Sequence, residues 1–509
     1  MRLAAPFVLL LATIARADDL ADSIRAITDA KEYKPARWGI LVVDAESGRT
    51  VYEHNPDKLI LPASTTKLFT CATALCELGP DFNFMTNVYR RGDVAGKVLD
   101  GDLILVAGGD LTFGGRRGKD GRTLFADNDH TYANSGLMDS KLTDSDPLYA
   151  LNDLATQVAE SIKEVRGEIL IDDRLFPRTR SSGSGPDVVA PILVNDNVAD
   201  VIVTPGDKEG DPATVKTRPE TAYLQTDADV RTGRAGGRAT ITIESTGTGQ
   251  FTVRGRVPVG SEPAVRIFPI DDPNLWARAL FIEALRRQGV KVAASLFHPR
   301  RAELPGPEAR LPRVSAYKSE PLADAVKVTL KVSHNLYAST LPVIVGLKHG
   351  HPSAEAGLRQ QAKLLRNFGI DPGQVSFAGG AGGANADSVT PRATVELMRK
   401  MSKHAAAREY FDALPILGVD GTLADSVSKD SPARGKVRAK TGTLGWYDAQ
   451  NERTMLRSKA LAGELETAKG TKLYIAMFVN DLPLPAGQPT SSVGKTLGRL
   501  CEVIYKHGP

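Results

Sequence analysis

Between about residues 83 and 270 this chain is written differently from what flanks it, and that change most constrains its fold. The stretch is rich in Gly, Asp, Thr and Val, with short apolar runs broken by turn residues. Leu103–Val106 and Glu168–Ile171 read as strands, Leu151–Ile162 as a helix, and residues 114–147 as a long polar excursion. Thr240–Ile243 and Phe251–Val253 alternate around Thr246-Gly247-Thr248-Gly249, a hairpin signal. At Asp272-Pro273 the texture changes back. Asp272 suits an N-cap and Pro273 the first helical position, and Gly289 closes that helix. Beyond it lie long helical patterns, two strong strands (Arg438–Lys440 and Leu473–Asn480) and a final helix repeating Val493, Leu497, Leu500 and Ile504. A length of 509 residues calls for two or three domains rather than one core.

The first 82 residues set up a special helix start. Ile40–Val43, Glu46-Ser47-Gly48 and Thr50–Tyr52 read as a hairpin. Pro62 then breaks the chain, and a helix is expected from about Ser64 to Leu78. It carries Leu68, Cys71, Leu75 and Leu78 on one face and stops at Gly79-Pro80. Residues 1–17 read as a signal peptide: Arg2 precedes the apolar run Leu3–Ile14, and Ala15-Arg16-Ala17 offers a cleavage site. The expected mature protein is secreted or periplasmic with no transmembrane anchor, since no later stretch approaches ~18 apolar residues. A net charge of +4 gives no reason to expect nucleic acid as a partner. Three cysteines make no disulfide framework, and Cys71 and Cys76 point to different helix faces.

Three short motifs occur in order: Ser64-Thr65-Thr66-Lys67, Ser333-His334-Asn335 and Lys440-Thr441-Gly442-Thr443. Each is weak alone. Ser-x-x-Lys begins also at Ser315, Ser426 and Ser492, but only Ser64 follows a hairpin and a proline and opens a helix. A helix stacks Ser64 and Lys67 at i and i+3 on one face. A serine hydroxyl needs a nearby base to be a nucleophile. A lysine can be that base only if burial or another cation lowers its pKa, and Lys440 on a facing strand would supply the cation. The N–H groups of Ser64 and Thr443 could hold an oxyanion. Gly442 is expected to leave room for a substrate at that strand edge.

Other features carry less. Asp127-Asn128-Asp129-His130 fails as a calcium loop, because Tyr132 stands at the glycine position, and reads as a solvated loop. There is no His-Glu-x-x-His and no Gly-x-Ser-x-Gly elbow. No cofactor and no metal are expected.

The motif set is that of β-lactamases and penicillin-binding proteins. A gap of 269 residues separates Ser64 from Ser333, and 107 separate Ser333 from Lys440. With that long first gap the chain resembles the class C low-molecular-mass penicillin-binding proteins, the D-alanyl-D-alanine carboxypeptidase/endopeptidase family. Further segments carry the likeness: Gly101-Asp102-Leu103 running to Gly109-Asp110, Val194-Asn195-Asp196-Asn197, Asn335-Leu336-Tyr337-Ala338, Gly418-Val419-Asp420-Gly421-Thr422-Leu423 and Val437–Leu444.

The resemblance implies an α+β fold. A transpeptidase-like domain, residues 18–82 plus 271–509, has an antiparallel sheet with helices on both faces. It carries two inserted β-rich domains, 83–185 and 186–270. It implies a serine-type D-Ala-D-Ala carboxypeptidase or endopeptidase acting on peptidoglycan stem peptides, with β-lactams as acylating inhibitors. Ser64, Lys67, Ser333, Asn335 and Lys440 would be catalytic, and Thr441, Gly442 and Thr443 would bind substrate. Ser333 would relay a proton to the leaving amine, Asn335 would hold the peptide, and Lys440 and Thr441 would bind a terminal carboxylate. The alternatives are a β-lactamase or esterase on the same scaffold, and a catalytically weakened peptidoglycan-binding protein. The chain departs from the family text at Gly379–Asn385, where an Asp-Gly-Ser-Gly segment is usual, at an apparent insertion over 445–459, and at Pro342, which is expected to interrupt a helix.

Overall fold

The computed structural model describes residues 19–135, 140–300, 302–306 and 309–509, so the expected signal peptide lies outside the described residues. The chain divides into two compact units. One comprises residues 1–80, 326–334 and 354–509; the other comprises 81–325 and 335–353.

The first unit is built on the expected hairpin. Arg37–Asp44 pairs with Thr50–His54, and Asp44 closes the turn by accepting from the Ser47 N–H at 2.8 Å. Three long strands extend it into an antiparallel five-stranded sheet in the order Val437–Asp448, Arg453–Glu466, Lys472–Pro483, Arg37–Asp44, Thr50–His54. Strand alternation then decides the layers. Ile40 and Val42 face a core shared with Leu461, Leu465, Ile475 and Met477 and with the C-terminal helix Ser491–His507. That helix contributes Val493, Leu497, Leu500 and Ile504, all nearly or fully buried, each adding about 1.5–3 kcal/mol. On the opposite face Gly39 lets the helix Pro391–Met401 approach closely: a Cβ there would lie 3.1 Å from Pro391 and 2.1 Å from Ile60.

Among the described residues the second unit holds four sheets, the smallest being the two-stranded pair Thr179–Arg180 with Val188–Val189. Its six-stranded sheet centres on the antiparallel pair Met85–Ala95 and Val98–Val106 and includes Arg313–Lys318. The helices Tyr149–Ser161 and Pro273–Arg287 pack on each other, and their buried residues share this unit's main core. Asp272 caps the second helix by accepting from the N–H groups of Asn274 and Leu275. Two three-stranded sheets follow, one containing the expected hairpin as Thr240–Gly247 with Gln250–Pro258. This unit therefore runs past residue 270, to Ala325, and takes in the helix Asn335–Lys348.

Two local expectations are corrected. The solvated loop over 127–130 is half wrong: Asp127 is exposed, but Asp129 and His130 are buried. Arg116 pairs with both Asp129 and Asp196, and His130 bridges Asp196 and Asp200 at 2.9 and 2.5 Å. Burial works against charge on His130, but Asp200, Asp129 and the hydrogen bonds to Asp196 and Asp200 outweigh it and push its pKa up to about 10. The partners lie far away in sequence, so the local polar run misled. Pro342 does not interrupt its helix, which runs unbroken over Asn335–Lys348. The residue is buried, so packing offsets the lost N–H there.

Candidate active site

The first unit delivers Ser64 on a turn that is locked from behind. Leu61 donates its N–H to Asn480 Oδ1 at 2.8 Å, and its carbonyl accepts from Asn480 Nδ2 at 3.1 Å and Ser458 Oγ at 2.7 Å. Asn480 and Ser458 lie on adjacent strands and are buried, so the chain reaches Pro62 with a fixed direction. The expected helix then begins slightly late. Ala63–Thr65 is a 3-10 turn, and the α-helix proper is Thr66–Leu78. Ala63 has φ +48° and no exposed surface. A non-glycine residue in the left-handed region is a local strain, held here by close packing.

That packing explains Gly442, and differently from the sequence reading. A Cβ on Gly442 would lie 2.6 Å from the Pro62 carbonyl oxygen and 3.2 Å from the Ala63 and Ala460 methyls. The glycine therefore lets the Lys440-Thr441-Gly442-Thr443 strand touch the Ser64 turn; the space above it is filled by the protein itself.

Lys67 has no exposed surface. Its ammonium donates to Ser64 Oγ at 2.9 Å and to the Ala381 carbonyl at 2.6 Å. Burial lowers its pKa to about 7, against the opposing pull of Cys71 and the carboxylate of Asp387. Lys440 is also fully buried, and burial first, then the charge of Lys67, hold its pKa well below the ordinary lysine value. Its Nζ donates to the Thr441 carbonyl at 2.8 Å. The structure thus places two buried lysines near enough to act on one another, and one of them is hydrogen-bonded to Ser64.

The loop over Gly379–Asn385 serves as a floor. Thr70 Oγ1 donates to the Gly380 carbonyl at 2.8 Å, Ala381 accepts from Lys67, and Gly382 (φ +80°) is so close that a Cβ would lie 2.0 Å from the Ala63 carbonyl oxygen. Asp387 closes the loop by accepting from the Ala378 N–H at 2.7 Å. Small residues are needed here because backbone meets backbone.

Ser333 is half-buried with φ +65°, just before His334, whose N–H bonds back to the Thr329 carbonyl at 3.1 Å. The segment Ile416–Leu423 joins this bend to the strand of Lys440. Lys331 Nζ donates to Asp420 at 2.6 and 2.8 Å, and Gly421 packs where a Cβ would lie 2.5 Å from the Lys331 carbonyl oxygen. One residue on, Thr422 Oγ1 accepts from Thr441 Oγ1 at 2.7 Å. Thr443 is exposed, and its hydroxyl accepts from Lys459 Nζ at 2.7 Å.

Asn335 opens the helix Asn335–Lys348 of the second unit, where its Nδ2 donates to the Ser184 carbonyl at 2.8 Å. The first unit by itself therefore gathers Ser64, Lys67, Ser333, Lys440, Thr441, Gly442 and Thr443. Asn480, Asp387, Asp420 and Lys459 were not singled out from the sequence, since only tertiary contacts reveal them. All three cysteines are free, Cys71 and Cys501 fully buried. Among the described residues no group of three His, Cys, Asp or Glu is arranged to hold a metal ion, and no helix is long and apolar enough to cross a membrane.

Both the sequence and the fold have known relatives. The chain is 29% identical over 464 residues to a D-alanyl-D-alanine carboxypeptidase of Actinomadura sp. (strain R39), covering 86% of this chain and 78% of the relative. It is 24% identical over 471 residues to D-alanyl-D-alanine carboxypeptidase DacB of Haemophilus influenzae, covering 87% and 85%. In fold it matches the crystal structure of penicillin binding protein 4 (dacB) from Haemophilus influenzae with a TM-score of 0.67 at 20% identity, over 96% of this chain and 99% of that one. A second structure of that protein is complexed with a novel beta-lactam. The fold is thus the α+β penicillin-binding, transpeptidase-like one. The model of the D-Ala-D-Ala carboxypeptidase 3 (S13) family matches residues 20–493, nearly the whole described chain, and the protein belongs to that family of serine peptidases.

Proposed function

We propose that this protein is a penicillin-binding DD-peptidase that cleaves peptidoglycan stem peptides through an acyl-enzyme on Ser64. The observation that carries the reading is Lys67 Nζ, 2.9 Å from Ser64 Oγ and poised near neutral pKa by burial. Neutral Lys67 takes the Ser64 proton as Oγ attacks the carbonyl of the penultimate D-alanine. Backbone N–H groups of Ser64 and Thr443 hold the oxyanion. Ser333 passes the proton to the leaving amine, with Asn335 holding the peptide, and Lys440 and Thr441 bind the terminal carboxylate. Water then hydrolyses the ester, with Lys67 again as the base. The signal peptide over residues 1–17 would export the chain to the wall. The β-lactam complex of the Haemophilus influenzae relative supports penicillin as a suicide acyl donor here. The close fit of the Gly379–Asn385 loop under Lys67 favours an active enzyme over a wall-binding protein that has lost turnover.

Labelled penicillin followed by peptide mass mapping tests this. Label on the peptide containing Ser64 is expected; label elsewhere, or none together with no D-alanine release from a pentapeptide, would overturn it.

The lysine base also sets a pH dependence. Only the neutral amine accepts a proton, so the acylation rate should rise with pH through an apparent pKa near 7. Lys67→Arg, whose guanidinium stays charged, should acylate on the order of 10²–10⁴-fold more slowly. A penicillin acylation rate that is flat from pH 5.5 to 8.5 would contradict Lys67 as the base.

A further inference from the structure

The catalytic strand does not end at its motif. Val437–Asp448 runs on past Thr443 and turns back as Arg453–Glu466, in register out to Asp448 and Arg453. Side chains alternate between the two faces of this arm. Gly442 and, opposite it, Ala460 face the Ser64 turn, since a Cβ on Gly442 would meet both Ala460 and Ala63. Leu444 and Trp446 share that face with Gly442. The extra residue at the register shift after Leu444 is Arg457, on the partner strand, so the alternation of Val437–Asp448 stays intact. Met455 stands opposite Trp446, while Leu456, one residue on, is buried in the core on the other face. The nucleophile's face of the sheet therefore continues outward as an apolar ledge: half-buried Leu444 and Met455, then exposed Trp446. Nearby charges are matched, Arg453 with Asp448 and Arg457 with Asp481. An exposed indole on a neutral ledge suits a neutral ring. The C–H bonds of a sugar carry partial positive charge and lie against the negative face of an aromatic ring.

The strand edge gives the direction of the ligand. Val437–Asp448 is the edge strand of its sheet, and Ala439 donates its outward N–H to the Pro415 carbonyl at 2.9 Å. Backbone groups alternate with a period of two, so Thr441, Thr443, Gly445 and Tyr447 also turn theirs outward. Among the described residues no backbone group pairs with this edge beyond Ala439. The edge can therefore take an extended peptide as one more strand. In the reaction proposed above, Lys440 and Thr441 hold the leaving residue's carboxylate, and the Thr443 N–H holds the oxygen of the scissile carbonyl. The substrate chain upstream of that carbonyl then runs towards Gly445 and Tyr447. In a pentapeptide stem the scissile carbonyl belongs to the fourth residue. The three residues upstream span about 10 Å when extended, matching the strand from Thr443 to Trp446. The amino end of the stem, where the sugar of the wall is attached, is thus brought to Trp446.

We propose that Trp446 is a glycan-binding residue of the substrate groove: its indole stacks on the sugar that carries the stem peptide, so the enzyme prefers glycan-linked stems to free peptides. This deepens the reading of Ser64 as a DD-peptidase nucleophile and rests on it.

The test compares D-alanine release from a disaccharide pentapeptide and from the same pentapeptide without its sugars. In the wild-type protein kcat/KM should favour the first by about tenfold. That ratio should fall to near one in Trp446→Ala, through a rise in KM for the disaccharide pentapeptide, and should be largely kept by Trp446→Phe. Tyr447→Ala, equally exposed but on the other face of the arm, should keep the wild-type ratio. A wild-type ratio near one, an equal loss on both substrates in Trp446→Ala, or a ratio lost as fully in Tyr447→Ala would each overturn the proposal. So would a ratio that Trp446→Ala leaves unchanged, including the case in which that variant dissociates a dimer in sedimentation and the ledge belongs to a second copy. If the wild-type protein releases D-alanine from neither substrate and takes no penicillin label at Ser64, the DD-peptidase reading falls and this proposal with it. Equal release from both, with label at Ser64, would sink the Trp446 role alone.

Discussion

Ser64→Ala is expected to lower D-alanine release by on the order of 10⁴-fold or more, to the background of binding and oxyanion contacts. It should also abolish covalent penicillin binding, read as the loss of the mass shift on the intact protein. The fold should survive. Lys67 keeps its 2.6 Å bond to the Ala381 carbonyl, and Leu61 keeps its clamp from Asn480 and Ser458. The lost Ser64–Lys67 bond is worth about 0.5–1.5 kcal/mol, a few degrees in Tm. A variant that still takes penicillin stoichiometrically would move the nucleophile elsewhere.

Gly382→Ala should be the most damaging single methyl in the first unit. The backbone at φ +80° costs a residue with a side chain about 1–2 kcal/mol. The methyl would also sit 2.0 Å from the Ala63 carbonyl oxygen, 2.5 Å from its carbon and 2.9 Å from Thr66 Oγ1. None of these can yield without moving the turn that holds Ser64 or the floor that holds Lys67. A total loss of about 3 kcal/mol or more is expected, and displacements near 1 Å should cut acylation roughly 10²-fold. Gly79 is the control, since its φ is +89° but nothing lies within 4 Å of where its Cβ would go. Gly79→Ala should therefore show only the backbone cost. If chemical denaturation finds the two variants equally stable, the contact with Ala63 is not what Gly382 is for.

These contacts show where sequence reading stopped. The Ser64–Lys67 stack was legible because helix spacing alone puts i and i+3 together, and the strand Leu473–Asn480 because its apolar run is nearly continuous. The hairpin at residue 37 and the C-terminal helix were legible by the same periodicities. What could not be read depends on approach between distant segments. The strained Ala63 exists because Gly442 and Gly382 press on it from strand and loop. The run Gly379–Asn385 looked like a departure from the family text, yet it is the backbone that receives Lys67. Asp129 and His130 looked solvated because Asp196 and Asp200, which bury with them, stand some 70 residues away. Lys459 is one more basic residue in a strand until Thr443 is found opposite.

The hairpin arm beyond Thr443 has a practical consequence. The apparent insertion over 445–459 folds as the continuation of Val437–Asp448 and Arg453–Glu466, paired out to Asp448 and Arg453. It leaves Trp446 56% exposed, whereas Trp38 and Trp276, the other tryptophans of the chain, are 5% and 0% exposed. A dissolved quencher such as iodide can collide with only the first of these indoles. The protein thus carries a native optical probe four residues past Gly442, and its emission can follow events at the catalytic strand without any label.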